Sequence, residues 1–224
     1  MDLTVLGRSV GAMAAAALAL WVLRRIRSEV VGDPFNDLLG AVLVGIGVGR
    51  LSYLWAEGVN VFADPIELIL VRGGISPVPA AAGAVAFLAW TSRSDLANRM
   101  DYLAPAALSG IAVWEAGCWW QGACLGSPSG LWWAMALPGS ELTRHPVGLY
   151  AAVLFAGAAV WLLVRPLPWK GATAAMALGW AAAVRSIVPI WSVGGWSDRG
   201  WWYLVGVVLG VGGVVATRSR AQGR

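Results

Sequence analysis

The sequence predicts an all-α integral membrane protein of about seven transmembrane helices, with a re-entrant or interfacial segment between the second and third. Composition is the first reason: 58% of the 224 residues are hydrophobic and 12% are charged, whereas a soluble domain carries about 25% charged residues. The second is length, because several apolar runs reach the roughly 20 residues that a spanning helix needs. The third is the placement of fifteen tryptophans. Trp55, Trp90, Trp119, Trp120, Trp191, Trp201 and Trp202 sit at run ends, where an amphipathic indole settles at the headgroup level.

Taken in order, the apolar runs place spans near 5–23, 38–55, 75–90, 102–120, 146–164, 172–191 and 201–217, and residues 1–224 read as a single integral-membrane domain. The stretch 59–71 is apolar but too short to cross, and it carries Asp64, Pro65 and Glu67. A segment that enters or lies on the bilayer without spanning it fits that pattern. In the first run Arg24, Arg25 and Arg27 follow the apolar stretch instead of preceding it, a charge order that argues against a cleaved signal peptide. Gly45 and Gly49, and again Gly206 and Gly210, are spaced four apart, as in helices whose backbones approach closely within a bilayer.

Positive charge sets the expected orientation. Arg24, Arg25, Arg27, Arg93, Arg99, Arg165, Lys170, Arg218, Arg220 and Arg224 fall on one side, and only Arg8, Arg72, Arg144 and Arg199 on the other. Cytoplasmic loops retain arginine and lysine, so the reading is an N-terminus outside and a C-terminus inside an inner (cell) membrane. The same scatter of arginines between apolar runs forms no basic stripe, which excludes a nucleic-acid partner. One histidine and two cysteines are too few for a structural metal site without carboxylates, so neither metal nor cofactor is expected. Cys118 and Cys124 read as small buried thiols, with a disulfide as the alternative if their segment faces outward.

Arg50, Glu115 and Arg185 lie within predicted spans. Each costs on the order of 3 kcal/mol on insertion scales, so the three are expected to surround one cavity in the outer half of the bundle. The competing readings are a structural clamp and, for Arg50, a side chain that snorkels to the interface. At the outer boundary Arg144-His145-Pro146 opens the fifth span, with proline at a helix start and an imidazole fit for hydrogen bonding or proton transfer. Arg72-Gly73-Gly74-Ile75-Ser76-Pro77 is a turn whose backbone N–H groups could approach a phosphate, although most such glycine pairs are only turns.

Five stretches in order resemble the prolipoprotein diacylglyceryl transferase family. They are Gly49-Arg50-Leu51-Ser52-Tyr53, Gly73-Gly74-Ile75-Ser76, Asp101-Tyr102-Leu103-Ala104-Pro105, the run from Gly117-Cys118 through Gln121-Gly122 and Cys124 to Gly126, and Arg144-His145-Pro146 followed by Leu149-Tyr150. The resemblance implies seven spans and transfer of diacylglycerol from phosphatidylglycerol, or a related anionic lipid, to the thiol of a lipobox cysteine in a prolipoprotein. It further implies catalytic roles for His145 and Arg185; Glu115 is the third catalytic candidate, as a carboxylate within a span that could replace one the chain has lost. Lipid or substrate contacts are implied at Arg50, Tyr53, Gly73, Gly74, Ser76, Gln121, Arg144 and Tyr150.

The chain departs from the family pattern at several positions. Trp114-Glu115 stands where the family has Gly-Arg, Pro77-Val78-Pro79 follows the glycine turn, Ala151 replaces a glutamate and Pro189 an acidic residue. These substitutions leave a second reading, a family member that binds lipid or lipoprotein without turnover. A third, a small transporter whose charged trio lines a pathway, lacks the expected repeat in the sequence.

Overall fold

The computed structural model describes residues 3–27, 32–61, 63, 66, 74–92, 94–120, 124–137, 139–195 and 200–223. Among them are seven α-helices: α1 (Leu3–Ile26), α2 (Pro34–Ala56), α3 (Pro77–Thr91), α4 (Leu96–Trp120), α5 (Val147–Val164), α6 (Ala172–Ile187), which a 3-10 turn extends through Val188–Trp191, and α7 (Gly200–Gln222). They fall on the seven apolar runs. Segments Gly7–Ile26, Pro34–Ala56, Val147–Val164, Ala172–Trp191 and Gly200–Gln222 are long and apolar enough to cross a membrane, and α3 is a shorter apolar helix of 15 residues. The chain is a multi-pass membrane protein. Asp64, Pro65 and Glu67, which carry the expected re-entrant segment, lie outside the described residues.

Burial is inverted relative to a soluble protein. Leu43, Val153, Val208 and Leu209 point outward, toward what would be lipid, while alanine and glycine fill the helix contacts. With lipid as apolar as leucine, close backbone packing has to hold helices together. The chain forms two compact units, Glu29–Arg99 and Asp2–Ser28 with Met100–Arg224.

In the smaller unit α2 packs on α3 along the stripe anticipated at Gly45 and Gly49. A Cβ at Gly45 would lie 2.9 Å from the Ala80 carbonyl oxygen, and one at Gly49 would lie 2.5 Å from Ile75 and 2.7 Å from Ala80. Asp33 caps α2 by accepting the Phe35 N–H at 3.1 Å, and Pro34 fits the first turn because its missing N–H would have no helical partner. Buried Asp37 is paired with Arg99 at 2.7 Å.

In the larger unit α1 crosses α4 at small residues, Gly110 against the Ala12 carbonyl and Gly11 against Val113. Leu108 and Ala112 of α4, Phe155 and Leu162 of α5, and Ala177 and Val184 of α6 form its buried core. The α6–α7 contact is closest at Gly179 and Gly210, where a Cβ on Gly210 would lie 2.3 Å from the Gly179 Cα. Asp101 explains part of its own motif: its carboxylate accepts the N–H groups of Gly171 at 2.6 Å and Ala174 at 2.8 Å. It thereby supplies a negative charge to the N-terminus of α6, whose N-cap Gly171 has φ 84° and no side chain to offer. Arg27 donates to the Leu162 carbonyl at 3.3 Å in the last turn of α5, the matching cation at a helix C-terminus.

Two features depart from the sequence reading. Met135–Ala136 (β1) pairs antiparallel with Thr143–Arg144 (β2), making a small hairpin in the connection between α4 and α5; two-residue strands carry no periodicity by which to be found. The reading of Cys118 and Cys124 as separate buried thiols is corrected: they form a disulfide, with Cα atoms 5.5 Å apart.

Candidate functional site

The larger unit brings two of the five signature stretches together through backbone hydrogen bonds. Gly126 N–H donates to the His145 carbonyl at 2.7 Å, His145 N–H to Ser127 at 3.1 Å and Gly148 N–H to Cys124 at 3.2 Å. The Trp191 carbonyl, at the end of the turn that extends α6, accepts both the N–H and the hydroxyl of Ser127, at 2.8 and 3.1 Å. Gly126 is obligatory at this junction, since a Cβ there would fall 2.0 Å from the Trp191 oxygen. The disulfide ties the same strand of chain back to α4. Gly148 makes room for it: a Cβ would meet Cys124 and the Glu115 carbonyl at 3.0 Å each. Three chain segments distant in sequence are therefore fixed against one another at backbone level, the kind of support that precise side-chain placement needs.

Within this frame Glu115, buried to 8% exposure, accepts a hydrogen bond from Arg185 Nη2 at 2.5 Å. The Arg185 side chain is 43% exposed and its guanidinium lies 5.7 Å from the Phe155 ring centroid. A carboxylate so engaged orients the arginine through a charge-assisted hydrogen bond. Arg8 of α1 reaches the same turn of α4. Its Nε and Nη2 donate to the Trp114 carbonyl at 3.2 and 3.0 Å, and its guanidinium carbon stands 4.2 Å over the Trp114 indole. Sequence reading had counted Arg8 only as an outer-loop charge. The signal available was its position inside the predicted span 5–23, since lying within a span is the criterion that singled out Arg50.

His145 and Tyr150 form the second cluster. Nδ1 of His145 is 3.1 Å from the Tyr150 hydroxyl, which also accepts the Trp133 indole N–H at 2.8 Å. Tyr150 is further wedged edge-on against Trp191, centroids 5.7 Å apart. Trp133 and Trp191 thus do more than anchor an interface, and Trp133 had given no sign of a role because its partner lies 17 residues away. Arg144 donates to the Gly126 carbonyl at 3.2 Å, which makes it a staple of the hairpin.

Arg50, Tyr53, Gly74 and Ser76 come together in the smaller unit. Arg50 is 6% exposed, donates to the Gly74 carbonyl at 3.1 Å and has Tyr53 beside its guanidinium, 5.7 Å from carbon to ring centroid. Ser76 N–H donates to the Gly49 carbonyl at 3.1 Å, and a Cβ at Gly74 would lie 3.1 Å from the Tyr53 ring. The first and second signature stretches are therefore one local structure, in which Arg50 is enclosed and does not snorkel. Of the trio expected around one cavity, Glu115 and Arg185 are in contact within the larger unit, and Arg50 belongs to the smaller one. Gly73 and Gln121 lie outside the described residues. No group of three or more His, Cys, Asp or Glu side chains suited to a metal occurs among the described residues.

Comparison with known proteins gives consistent matches. The family model described as prolipoprotein diacylglyceryl transferase matches residues 6–216. A phosphatidylglycerol–prolipoprotein diacylglyceryl transferase of Pseudoalteromonas translucida (strain TAC 125) is 29% identical over 184 residues, covering 73% of this chain and 67% of that protein. Proteins of the same name from Bordetella bronchiseptica and Bordetella avium are 33% identical over 134 residues and 31% identical over 160. Those matches cover 54% and 66% of this chain. The chain spans 50% and 59% of the lengths of these two relatives.

Proposed function

Because the chain belongs to the prolipoprotein diacylglyceryl transferase family, we propose that it transfers diacylglycerol from phosphatidylglycerol to the thiol of a lipobox cysteine in a prolipoprotein. In this reading it works in the bacterial inner membrane with its N-terminus outside. The observation that carries the proposal is the junction of Cys124–Ser127, His145–Gly148 and Trp191 beside the Glu115–Arg185 pair. Motifs that the family resemblance had picked out separately meet there with a cation and an imidazole.

The reaction sets clear demands. The thiolate sulfur attacks the glyceryl carbon that bears the phosphate, a C–S bond forms as the C–O bond breaks, and glycerol phosphate leaves. The phosphate passes from one negative charge toward two, so cations placed beforehand stabilise the transition state more than the ground state. Arg185 fits that duty, with Glu115 fixing its orientation. The thiol proton needs an acceptor. His145 meets that need through Nε2 when Nδ1 carries its proton and donates to Tyr150. Arg50, in its enclosed turn with Tyr53 and Gly74, is assigned to a lipid headgroup contact. Gly73 and Gln121 are assigned to lipid or substrate contacts by the family resemblance alone, and Arg144 to bracing the hairpin through the Gly126 carbonyl.

One observation favours the alternative of binding without turnover: Glu115 occupies one nitrogen of Arg185 and offsets its charge. The deciding experiment is complementation of a transferase-depleted bacterium, read by the mass of a reporter lipoprotein. Growth with a diacylglyceryl-modified reporter upholds transfer; an unmodified reporter in cells that contain the folded protein refutes it.

A further inference from the structure

The connection between α4 and α5 doubles back toward the bilayer. Ser127 is bonded to His145 and Ser129 to Thr143, so the first stretch runs away from the start of α5. β1 runs the same way, with Met135 opposite Arg144 and Ala136 opposite Thr143. Residues 130–134 therefore return between the two. Trp133 marks how far they come: its indole N–H reaches the hydroxyl of Tyr150, in the first turn of the membrane-spanning α5, at 2.8 Å.

The returning segment is built for an apolar boundary. Ala134 N–H donates to the Leu131 carbonyl at 2.9 Å, and Leu131 N–H to the Ser129 hydroxyl at 3.3 Å. The first bond closes a four-residue turn with Trp132 and Trp133 at its corners. Corners that face water favour Gly, Pro, Asn, Asp or Ser. Here Trp132 is 90% exposed, Leu131 is exposed beside it, and the Trp132 and Trp133 rings meet edge-on with centroids 5.0 Å apart. From Gly130 to Ser140 no residue is charged. The turn's own bonds reduce the number of backbone groups left unpaired on leaving water, and an indole can bury its ring while its N–H stays at the headgroup level.

We propose that the turn Leu131–Ala134 is a membrane-surface anchor, with Leu131 and Trp132 inserted into the headgroup boundary of the leaflet at the N-terminal end of α5. The lipid surface is the occupant for three reasons. The turn stands level with the first turn of a spanning helix, carries no charge to meet a charged partner, and offers the indole that this boundary favours. Trp133 links the anchor to the site, since the Tyr150 hydroxyl that it meets is 3.1 Å from Nδ1 of His145. Headgroups in contact with the turn thus lie beside the imidazole. The inference draws on the membrane-spanning fold and not on the transferase reading.

The test uses the full-length protein in nanodiscs of phosphatidylcholine and phosphatidylglycerol. Cys118 and Cys124 are bonded to each other and are the two cysteines of the chain, so L131C, W132C and S140C each offer a single site for a nitroxide label. Collisions of the label with oxygen, which concentrates in lipid, are compared with collisions with a water-soluble nickel chelate. Labels at 131 and 132 are expected to meet oxygen more often than nickel, and the label at 140, beyond the far end of β1, to show the reverse. Nickel access at 131 and 132 equal to that at 140 overturns the proposal. Shielding of 131 and 132 from both reagents overturns the lipid assignment and puts a second copy of the chain on the turn.

Within L131C, W132E places a charge at the boundary and is expected to raise nickel access at 131 severalfold, while W132F keeps an apolar ring and leaves it near the parent value. Unchanged access in folded W132E removes Trp132 from the anchor and overturns the proposal as stated. If W132E does not fold, the three single labels decide, because none of them depends on it. The readout involves no turnover, which keeps the two ideas distinguishable. Lipid contact at 131 and 132 without thioether formation retains the anchor and fails the transferase reading. Transfer with both labels in water does the reverse.

Discussion

Gly210 and Gly212 lie two residues apart on α7 and should respond to alanine in opposite directions. A Cβ at Gly210 would sit 2.3 Å from the Gly179 Cα, 2.4 Å from its nitrogen and 2.8 Å from the Ala175 oxygen, whereas nothing lies within 4 Å of one at Gly212. Backbone cannot rotate away as a side chain can, so α6 and α7 must separate by roughly 1 Å to restore van der Waals contact, an overpacking cost of about 1–3 kcal/mol. The gain in helix propensity from glycine to alanine, about 0.5–1 kcal/mol, offsets part of this at Gly210 and stands alone at Gly212. G210A is therefore expected to lose about 1–2 kcal/mol and G212A to gain up to about 1 kcal/mol. Reversible unfolding in mixed micelles measures both. Because α6 carries Arg185, G210A should also slow transfer, given that misplacements near 1 Å can cost ~100-fold in rate. Equal stability of the two variants would show that the α6–α7 contact is not packed as described.

Three further outcomes follow from the site. E115Q removes a negative charge about 7 Å from an anion seated on the far side of Arg185, which at an effective dielectric near 20 is worth about 2 kcal/mol. With the Arg185 side chain 43% exposed, solvent screening reduces that to about 1 kcal/mol. Phosphatidylglycerol should then bind about fivefold more tightly while transfer slows because Arg185 loses its anchor; weaker binding by folded E115Q contradicts the charge argument. His145 is the one histidine of the chain, so 15N-histidine labelling reads its tautomer directly. The proton is expected on Nδ1, with the preference lost in Y150F, and a dominant Nε2–H form would remove His145 as the base. A cysteine placed at Ser140 should react with an impermeant reagent on intact spheroplasts; reaction only after lysis would reverse the proposed orientation.

The helices were legible because apolar length is a property of consecutive residues, and the close approaches at Gly45, Gly49, Gly206 and Gly210 because small residues recur at a fixed spacing. Glu115 and Arg185 were legible for a different reason: charge inside a span is costly wherever it occurs. What escaped depends on partners far away in the chain. Asp101 stood in a recognised motif, yet its task is set by N–H groups 70 and 73 residues later. Trp133 carries no reading of its own in the sequence, and only its bond to Tyr150 places it behind His145. Arg8 was counted in the outer-loop tally, and the Trp114 carbonyl, its indole and the groove at Gly117 separate it from a side chain that snorkels. The disulfide was undecided by spacing alone, because six residues in sequence accommodate either a bond or two separate thiols.

The central claim is chemical, and purified protein tests it most directly. Full-length protein in nanodiscs containing phosphatidylglycerol is mixed with a lipobox peptide, and the products are followed by mass spectrometry. The account predicts a thioether-linked diacylglyceryl peptide and one glycerol phosphate per transfer, at a rate on the order of 1 per second, with H145Q and R185Q each slowed by at least about 100-fold. Folded wild-type protein that retains phosphatidylglycerol and leaves the peptide unmodified would contradict it.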